Sequence, residues 1–293
     1  VARLTMLAQL RETAEMVKVG HSVFALPFAL ASAALAMRAE GGWSWHAALW
    51  IVVCAVAART AAMAQNRLAD ADLDARNPRT AGRALPAGRV TRGFVRALVV
   101  VAALVFVLGA ARLNRLCLLL SPVVLLVLLA YPYAKRFTWA SHLWLGVSLG
   151  LSPVGAWVAV RGSFAGLATP LLLGAAVTLW TAGFDLIYAC QDHDHDRAFG
   201  LFSGPARLGV AGALRLSALL HVLSFALLAA VYAANPDVSW LYGAGLAVAA
   251  ALLVYEHAIV SPSDLSRVNV AFFTLNGLVS LVLGAVTVAD AFL

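Results

Sequence analysis

The sequence predicts an all-α polytopic membrane protein built as one domain of nine transmembrane helices over residues 1–293. Three observations predict it. First, 62% of the residues are hydrophobic and only 12% charged, with a mean hydropathy of +0.88. A soluble domain runs about 45–50% apolar and about 25% charged. Such a chain cannot cover its surface with polar groups, so most of its solvent is lipid. Second, the apolar runs are too long for strands and are rich in Ala and Leu. Third, the basic residues sort by loop parity once those runs are numbered.

The opening stretch, "VARLTMLAQLRETAEMVKVG", mixes charged and apolar residues at helical spacing. It reads as an amphipathic helix over 1–19 on the membrane surface rather than as a cleavable signal. Nine spans follow at roughly 20–38, 43–66, 93–111, 114–132, 140–160, 167–190, 208–233, 238–256 and 268–290. Pro27 and Pro153 are expected to bend their helices, since proline removes a ladder hydrogen bond. The amino terminus and the loops after spans 2, 4, 6 and 8 carry sixteen of the lysines and arginines. The other side holds only Arg38, Arg112, Arg115 and Arg161. That asymmetry places the amino terminus in the cytoplasm and the carboxyl terminus outside a cell membrane. It also accounts for the net charge of +7 without nucleic acid.

Other residues carry less chemistry. Cys54, Cys117 and Cys190 are widely spaced in apolar runs and read as small fillers rather than a disulfide or metal cluster. His21, His142 and His221 stand alone in apolar context and read as helix–helix hydrogen-bonding residues. Phe24, Phe28, Trp144 and Trp157 are assigned no role beyond packing.

Seven of the 14 acidic residues fall in two short windows: Asp70, Asp72 and Asp74, then Asp185, Asp192, Asp194 and Asp196. That is not the pattern of a solvated surface. Asn66, Asp70 and Asp74 step by four, each about 40° from the last, so they share one helix face. Asp185, Tyr188, Asp192 and Asp196 make a second stripe. Asp72 and Asp194 point elsewhere and read as solvated rim. Both windows close a span, 2 and 6, and those spans run in the same direction. The two stripes therefore reach the same membrane boundary at similar depth. Facing carboxylates repel and resist desolvation, so a cation belongs between them. Oxygen-only ligation by Asp and Asn suits a hard ion such as Mg²⁺, which keeps several positions for phosphates. The geometry predicts a diphosphate bridged by Mg²⁺ to two acidic walls. Arg76, Arg79, Arg83 and Arg89 after span 2, and Lys135 and Arg136 after span 4, are the nearby phosphate donors.

Asn66-x-x-x-Asp70-x-x-x-Asp74 running into "ARNPRTAGRALPAGR" resembles the first acidic motif of the UbiA superfamily of intramembrane prenyltransferases. "DLIYACQDHDHD" resembles the second, with Asp192 and Asp196 as its DxxxD pair after Asp185, Tyr188 and Gln191. Tyr131-x-x-x-Lys135 resembles the family's YxxxK motif. "HSVFALPFALASA", "HLWLGVSLGLSPVGAWVAV", "GFDLIYACQD" and "FSGPARLGV" are similar to the 4-hydroxybenzoate polyprenyltransferase branch. The likeness runs from about residue 18 to about 221. It implies nine helices around a central cavity, with a cytoplasmic cap from loops at about 67–92, 131–142 and 191–207. One departure is Arg67, where many members have Asp; it adds a candidate diphosphate contact.

The resemblance also implies a reaction: Mg²⁺-dependent transfer of a polyprenyl chain from its diphosphate to a small aromatic acid in quinone biosynthesis. Asn66, Asp70, Asp74, Asp192 and Asp196 would hold the metal. Lys18, Arg67, Arg79, Arg83, Tyr131, Lys135 and Arg136 would serve the diphosphate. Asp185 and Tyr188 would face the reacting carbon, with Asp185 placed to take the ring proton. Other acceptors within the superfamily are naphthoquinone precursors, haem and archaeal glycerol lipids. A cation transporter would carry its carboxylates nearer mid-bilayer.

Overall fold

The structure is a computed structural model that describes residues 12, 13, 15–17, 19–235 and 238–293, apart from the side chains of Val19 and His21. Most of the expected surface helix over 1–19, Lys18 and the His21 side chain thus lie outside the described residues. Among the described residues there is no strand, only one isolated bridge between Ser261 and Asp264. Nine long helices lie among the described residues: α1 (Leu26–Ala39), α2 (Trp45–Asp74), α3 (Arg92–Leu113), α4 (Arg115–Ala130), α5 (Ser141–Arg161), α6 (Ala168–Ala189), α7 (Gly204–Ala234), α8 (Trp240–Ala258) and α9 (Asn276–Asp290).

Among the described residues eight passes are each long and apolar enough to cross a membrane, and a bent pair ending in α1 makes nine if it is one span. At 14 residues α1 spans roughly 21 Å, short of a hydrocarbon core of about 30 Å. It needs the 3₁₀ turn Val19–Phe24 before it, and the two meet at a 41° bend. Pro27 sits in the first turn of α1, where no ladder bond is lost, so the break precedes it at Ala25. Pro153 lies inside α5, which continues unbroken to Arg161. Helix α7 is kinked instead at Gly209, whose φ of 70° suits glycine alone. Large apolar side chains such as Leu104, Leu126 and Val254 face outward, as a lipid-solvated surface requires.

Each helix lies beside its chain neighbours, and α9 closes the ring against α1, which also leans across to α5. Phe24, Phe28, Trp180, Phe184 and Tyr242 form the principal core inside it. The closest approach is between α5 and α6. A methyl group built on Gly146 would lie 2.2 Å from the Thr178 carbonyl oxygen, and one on Gly150 2.4 Å from the Gly174 oxygen. With little hydrophobic drive between helices in lipid, such small-residue contact supplies the attraction. It also fixes how the residues that begin α5 meet those that end α6.

Three structured connections lie at one end of the ring. Helix α2 has 30 residues, roughly 45 Å, so its last turns project past a membrane core. The expected cap loop over 67–92 is therefore helical as far as Asp74 and folds into turns only from Ala75. The segment Tyr131–Arg136 is a 3₁₀ helix, and 190–198 continues α6 as a 3₁₀ turn and the short helix His193–Ala198. The Phe202 N–H donates to the Lys135 carbonyl at 2.7 Å, joining the second and third of these segments. Glu12 accepts from Arg89 at 3.0 Å and ties the amino-terminal segment to the first.

Gly150→Val or Gly174→Val is expected to force α5 and α6 apart, at about 1–3 kcal/mol or more. Thermal unfolding in detergent should show a lowered Tm. Gly155→Ala, which meets nothing within 4 Å, should leave it unchanged.

Candidate active site

A cavity of about 270 Å³ opens at this end of the ring. Helix α2 delivers Asn66, Asp70 and Asp74 to it on one face, as their i, i+4, i+8 spacing requires. The end of α6 and its continuation deliver Asp185, Tyr188, Asp192 and Asp196 to the same space. Arg67, Arg79, Arg83, Tyr131 and Lys135 also line it. The two acidic windows, more than a hundred residues apart in sequence, thus share one cavity.

The carboxylates are held by cations. Asp70, buried, accepts from Lys135 Nζ at 2.7 Å on Oδ2, with Asn66 Nδ2 3.4 Å from the same atom. Its Oδ1 is buried without a hydrogen bond, 3.9 Å from the Arg136 guanidinium. Asp74 takes two bonds of 2.7 Å from Arg83 and lies 3.5 Å from Arg67. Asp192 joins the walls: Asn77 donates to it at 2.8 Å, and Arg79 grips both its oxygens. Arg79 also donates to the Tyr188 hydroxyl at 3.0 Å, with its guanidinium 5.3 Å from that ring's centre. Burial alone would lower the Arg79 guanidinium, but its bonds to Asp192 and Tyr188 outweigh that and raise it above its ordinary value. The loop is shaped for this task. Asn77 Oδ1 accepts the Arg79 N–H at 3.0 Å, and Thr80 Oγ1 donates to the Asp74 carbonyl.

Two expected residues stand off the wall. Arg136 donates to the Ala69 carbonyl and stacks over Tyr133, so it braces α2 from behind. Gln191 bonds the Tyr188 carbonyl one turn back. Asp72 and Asp194 are exposed and pair with Arg92 and His193, as rim residues do. His221 bridges helices as expected, 2.9 Å from His257 and 3.2 Å from the Trp180 carbonyl.

His142 is different. It bridges α5 and α6 as expected, but it does so in the cavity wall, 2.7 Å from Asp185. Arg59, Asn77, Thr80 and Phe272 are further wall residues that the sequence reading passed over. Arg59 had a signal: it lies seven residues before Asn66, on the same helix face. Phe272 had none. It comes from the π-helical turn Val270–Leu275 before α9, and its ring lies 4.2 Å from that of Tyr188. Asn276 pins that turn by donating to Glu256 at 2.7 Å and to the Ala271 carbonyl at 2.9 Å, and by accepting from Trp180 at 2.6 Å.

Below the polar cavity two mostly apolar ones continue along α2, α4 and α5. One of about 100 Å³ shares Arg59, Met63, Tyr131, Leu145 and Leu149 with it. One of about 150 Å³ shares Ala55, Ser148 and Ser152 with the first and reaches Leu113 and Val158 near the opposite end.

The donor set fits Mg²⁺. It is oxygen-only, and Asp70 Oδ1 is a buried acceptor lacking a hydrogen bond. Among the described residues no three His, Cys, Asp or Glu side chains form a closed metal cage. An ion held partly by substrate phosphates requires no such cage.

Residues 25–278 match the UbiA prenyltransferase family. The 4-hydroxybenzoate octaprenyltransferase of Aromatoleum aromaticum is 32% identical over 249 residues, 83% of this chain and 81% of that protein. That of Klebsiella pneumoniae is 34% identical over 242 residues, 80% and 81% of the two chains. The apo structure of a UbiA homolog from Aeropyrum pernix K1 superposes with a TM-score of 0.83 at 38% identity, covering 92% of this chain and 98% of that one. A UbiA homolog from Archaeoglobus fulgidus bound to GPP and Mg²⁺ shares the fold, with a TM-score of 0.71 at 17% identity over 96% and 100% of the chains. With its paired acidic walls inside a ring of membrane helices, the chain belongs to the UbiA family and is a prenyltransferase.

Proposed function

We propose that this enzyme transfers a polyprenyl chain from its diphosphate to a ring carbon of a small aromatic acid, 4-hydroxybenzoate or a close analogue, in quinone biosynthesis. The site would face the cytoplasm. The names of the relatives support the acceptor, and the concentration of basic residues at one boundary supports the orientation.

The observation that carries the reading is the charge balance of the cavity. Its wall holds five carboxylates (Asp70, Asp74, Asp185, Asp192, Asp196) and five strong cations (Arg59, Arg67, Arg79, Arg83, Lys135). A diphosphate ester adds about three negative charges, and buried uncompensated charge is costly. Entry of the substrate therefore calls for added positive charge. The carboxylates released by Arg79, Arg83 and Lys135 are where a metal would sit. Asn66, Asp70, Asp74, Asp192 and Asp196 would hold Mg²⁺, which when bound neutralises the diphosphate as a leaving group. The freed Arg79, Arg83 and Lys135 would turn to the phosphate oxygens.

The allylic C–O bond breaks with its electron pair leaving on the diphosphate. A π pair of the acceptor ring then forms the new C–C bond. The ring hydrogen leaves as a proton to Asp185, which restores aromaticity. Tyr188, Phe272 and Phe184 face this space and keep water from the cation. Arg59, at the deep end of the polar cavity, suits the carboxylate of an aromatic acid. The prenyl tail would run through the two apolar cavities below.

With geranyl diphosphate and 4-hydroxybenzoate, EDTA should abolish product formation and added Mg²⁺ should restore it. Asp70→Ala and Asp192→Ala should each lower kcat by about 10²-fold or more. Undiminished turnover in either would refute the clamp. Ser152→Phe narrows the neck between the two apolar cavities. It should leave kcat/KM for a ten-carbon donor within about threefold and lower it about tenfold or more for long donors, because displaced chain loses its buried contact. Product mass spectrometry across a donor ladder reads this out.

A further inference from the structure

We infer that His142 is a positioning residue for the base: it holds the Asp185 carboxylate in one orientation, through a tautomer locked by the Gly204 amide. This rests on the reading of Asp185 as the acceptor of the ring proton.

His142 opens α5 and is buried between α6 and the start of α7. The Gly204 backbone N–H donates to its Nε2 at 3.0 Å. That bond uses the Nε2 lone pair, so the imidazole carries its hydrogen on Nδ1. Nδ1 then donates to Asp185 Oδ2, 2.7 Å away. Gly204 is the first residue after the Ser203 cap of α7, where a helix leaves N–H groups without an internal partner. His142 supplies that partner. The approach is close: a methyl group on Gly204 would lie 2.2 Å from Leu186 Cδ2 and 3.3 Å from the His142 ring.

Two consequences follow from this arrangement. With Nε2 accepting from Gly204, the ring has no second N–H to relay, so His142 acts by orienting the Asp185 carboxylate. With Oδ2 engaged and the Asp185 side chain about a quarter exposed, the other oxygen is the one left for the cavity. In the reaction the ring C–H bond breaks and its electron pair returns to the ring. The proton forms a carboxylic acid on Asp185 and leaves through the cavity mouth after product release. No oxidant or other reactant is required.

The test uses the full-length enzyme in detergent with Mg²⁺, geranyl diphosphate, and either normal or ring-deuterated 4-hydroxybenzoate. Where breaking the allylic C–O bond limits the rate, the wild type shows an isotope effect near unity on kcat. His142→Leu leaves Asp185 poorly oriented, so proton loss becomes limiting. Its kcat should fall about 10- to 100-fold with KM for the diphosphate within about twofold, and the isotope effect should rise to about 2 or more. His142→Asn keeps an amide donor near the Nδ1 position. It should retain most of kcat and an isotope effect near unity.

The proposal is overturned if His142→Leu keeps the wild-type isotope effect, or if His142→Asn is as impaired as His142→Leu. Should the leucine variant not fold, His142→Asn is compared with His142→Gln, whose amide reaches the Nε2 position instead. Asn must then be the more active, and equal activity sinks the idea. Asp185→Asn separates the two layers. If it has wild-type kcat and no isotope effect, the base assignment itself fails. If it is impaired and isotope-sensitive while His142→Leu is not, only the role of His142 fails.

Discussion

Everything at the working end of this protein depends on charge neutrality in a poorly solvated cavity. Ionised carboxylates resist desolvation, and at the end of a membrane bundle they persist only with partners. Here each wall carboxylate with a close contact has one. Asp70 meets Lys135, Asp74 meets Arg83 and Asp192 meets Arg79, while Asp185 takes a hydrogen bond from the His142 imidazole. The fold is arranged to bring these partners from separate segments. The first cap segment contributes arginines, the 3₁₀ turn after α4 contributes lysine, and the start of α5 contributes histidine. In the proposed function these pairs would part, the cations turning to the diphosphate and the anions to the metal, so that no bare charge would be left.

The proposed exchange calls for structured segments at this end of the ring. A loose loop would let Arg79 and Arg83 reach solvent, where screening weakens their hold. Instead Asn77 and Thr80 tie the turn to itself and to the end of α2. The cations are thereby kept within reach of both the acidic walls and a diphosphate.

Much of this was legible in sequence, for physical reasons that can be named. Long Ala- and Leu-rich runs admit few structures in lipid, so the passes among the described residues could be placed from sequence, although α2 runs eight residues past the expected end at 66. The step of four from Asn66 to Asp74 has one meaning on a helix, and α2 carries it unbroken to the last residue. What stayed hidden depended on contacts between distant segments. His142 looked like a helix-bridging residue, and it is one, but only the fold reveals that its partner is Asp185. The π turn that sets Phe272 has no local sequence signature. Pro27 sits in the first turn of α1, next to the break at Ala25, and Pro153 lies within an α5 that runs on to Arg161. Arg136 looked like its neighbour Lys135, yet it donates to the Ala69 carbonyl and stays outside the cavity wall that Lys135 lines.

The π turn before α9 has a consequence for how the last pass can vary. One additional residue in a helical turn rotates everything beyond it by about 100° about the axis. The first turn of this pass is therefore out of phase with the rest. Beyond the turn, Ser280 bonds the Val23 carbonyl, and Gly284 is fitted so closely to Pro27 that an added methyl would lie 2.4 Å away. Within it, Phe272 lines the polar cavity. A straight helix would lock these two faces to a single angular relation. The inserted residue uncouples them, so the aromatic face can be re-aimed by moving the insertion point while the closure of the ring is left as it is.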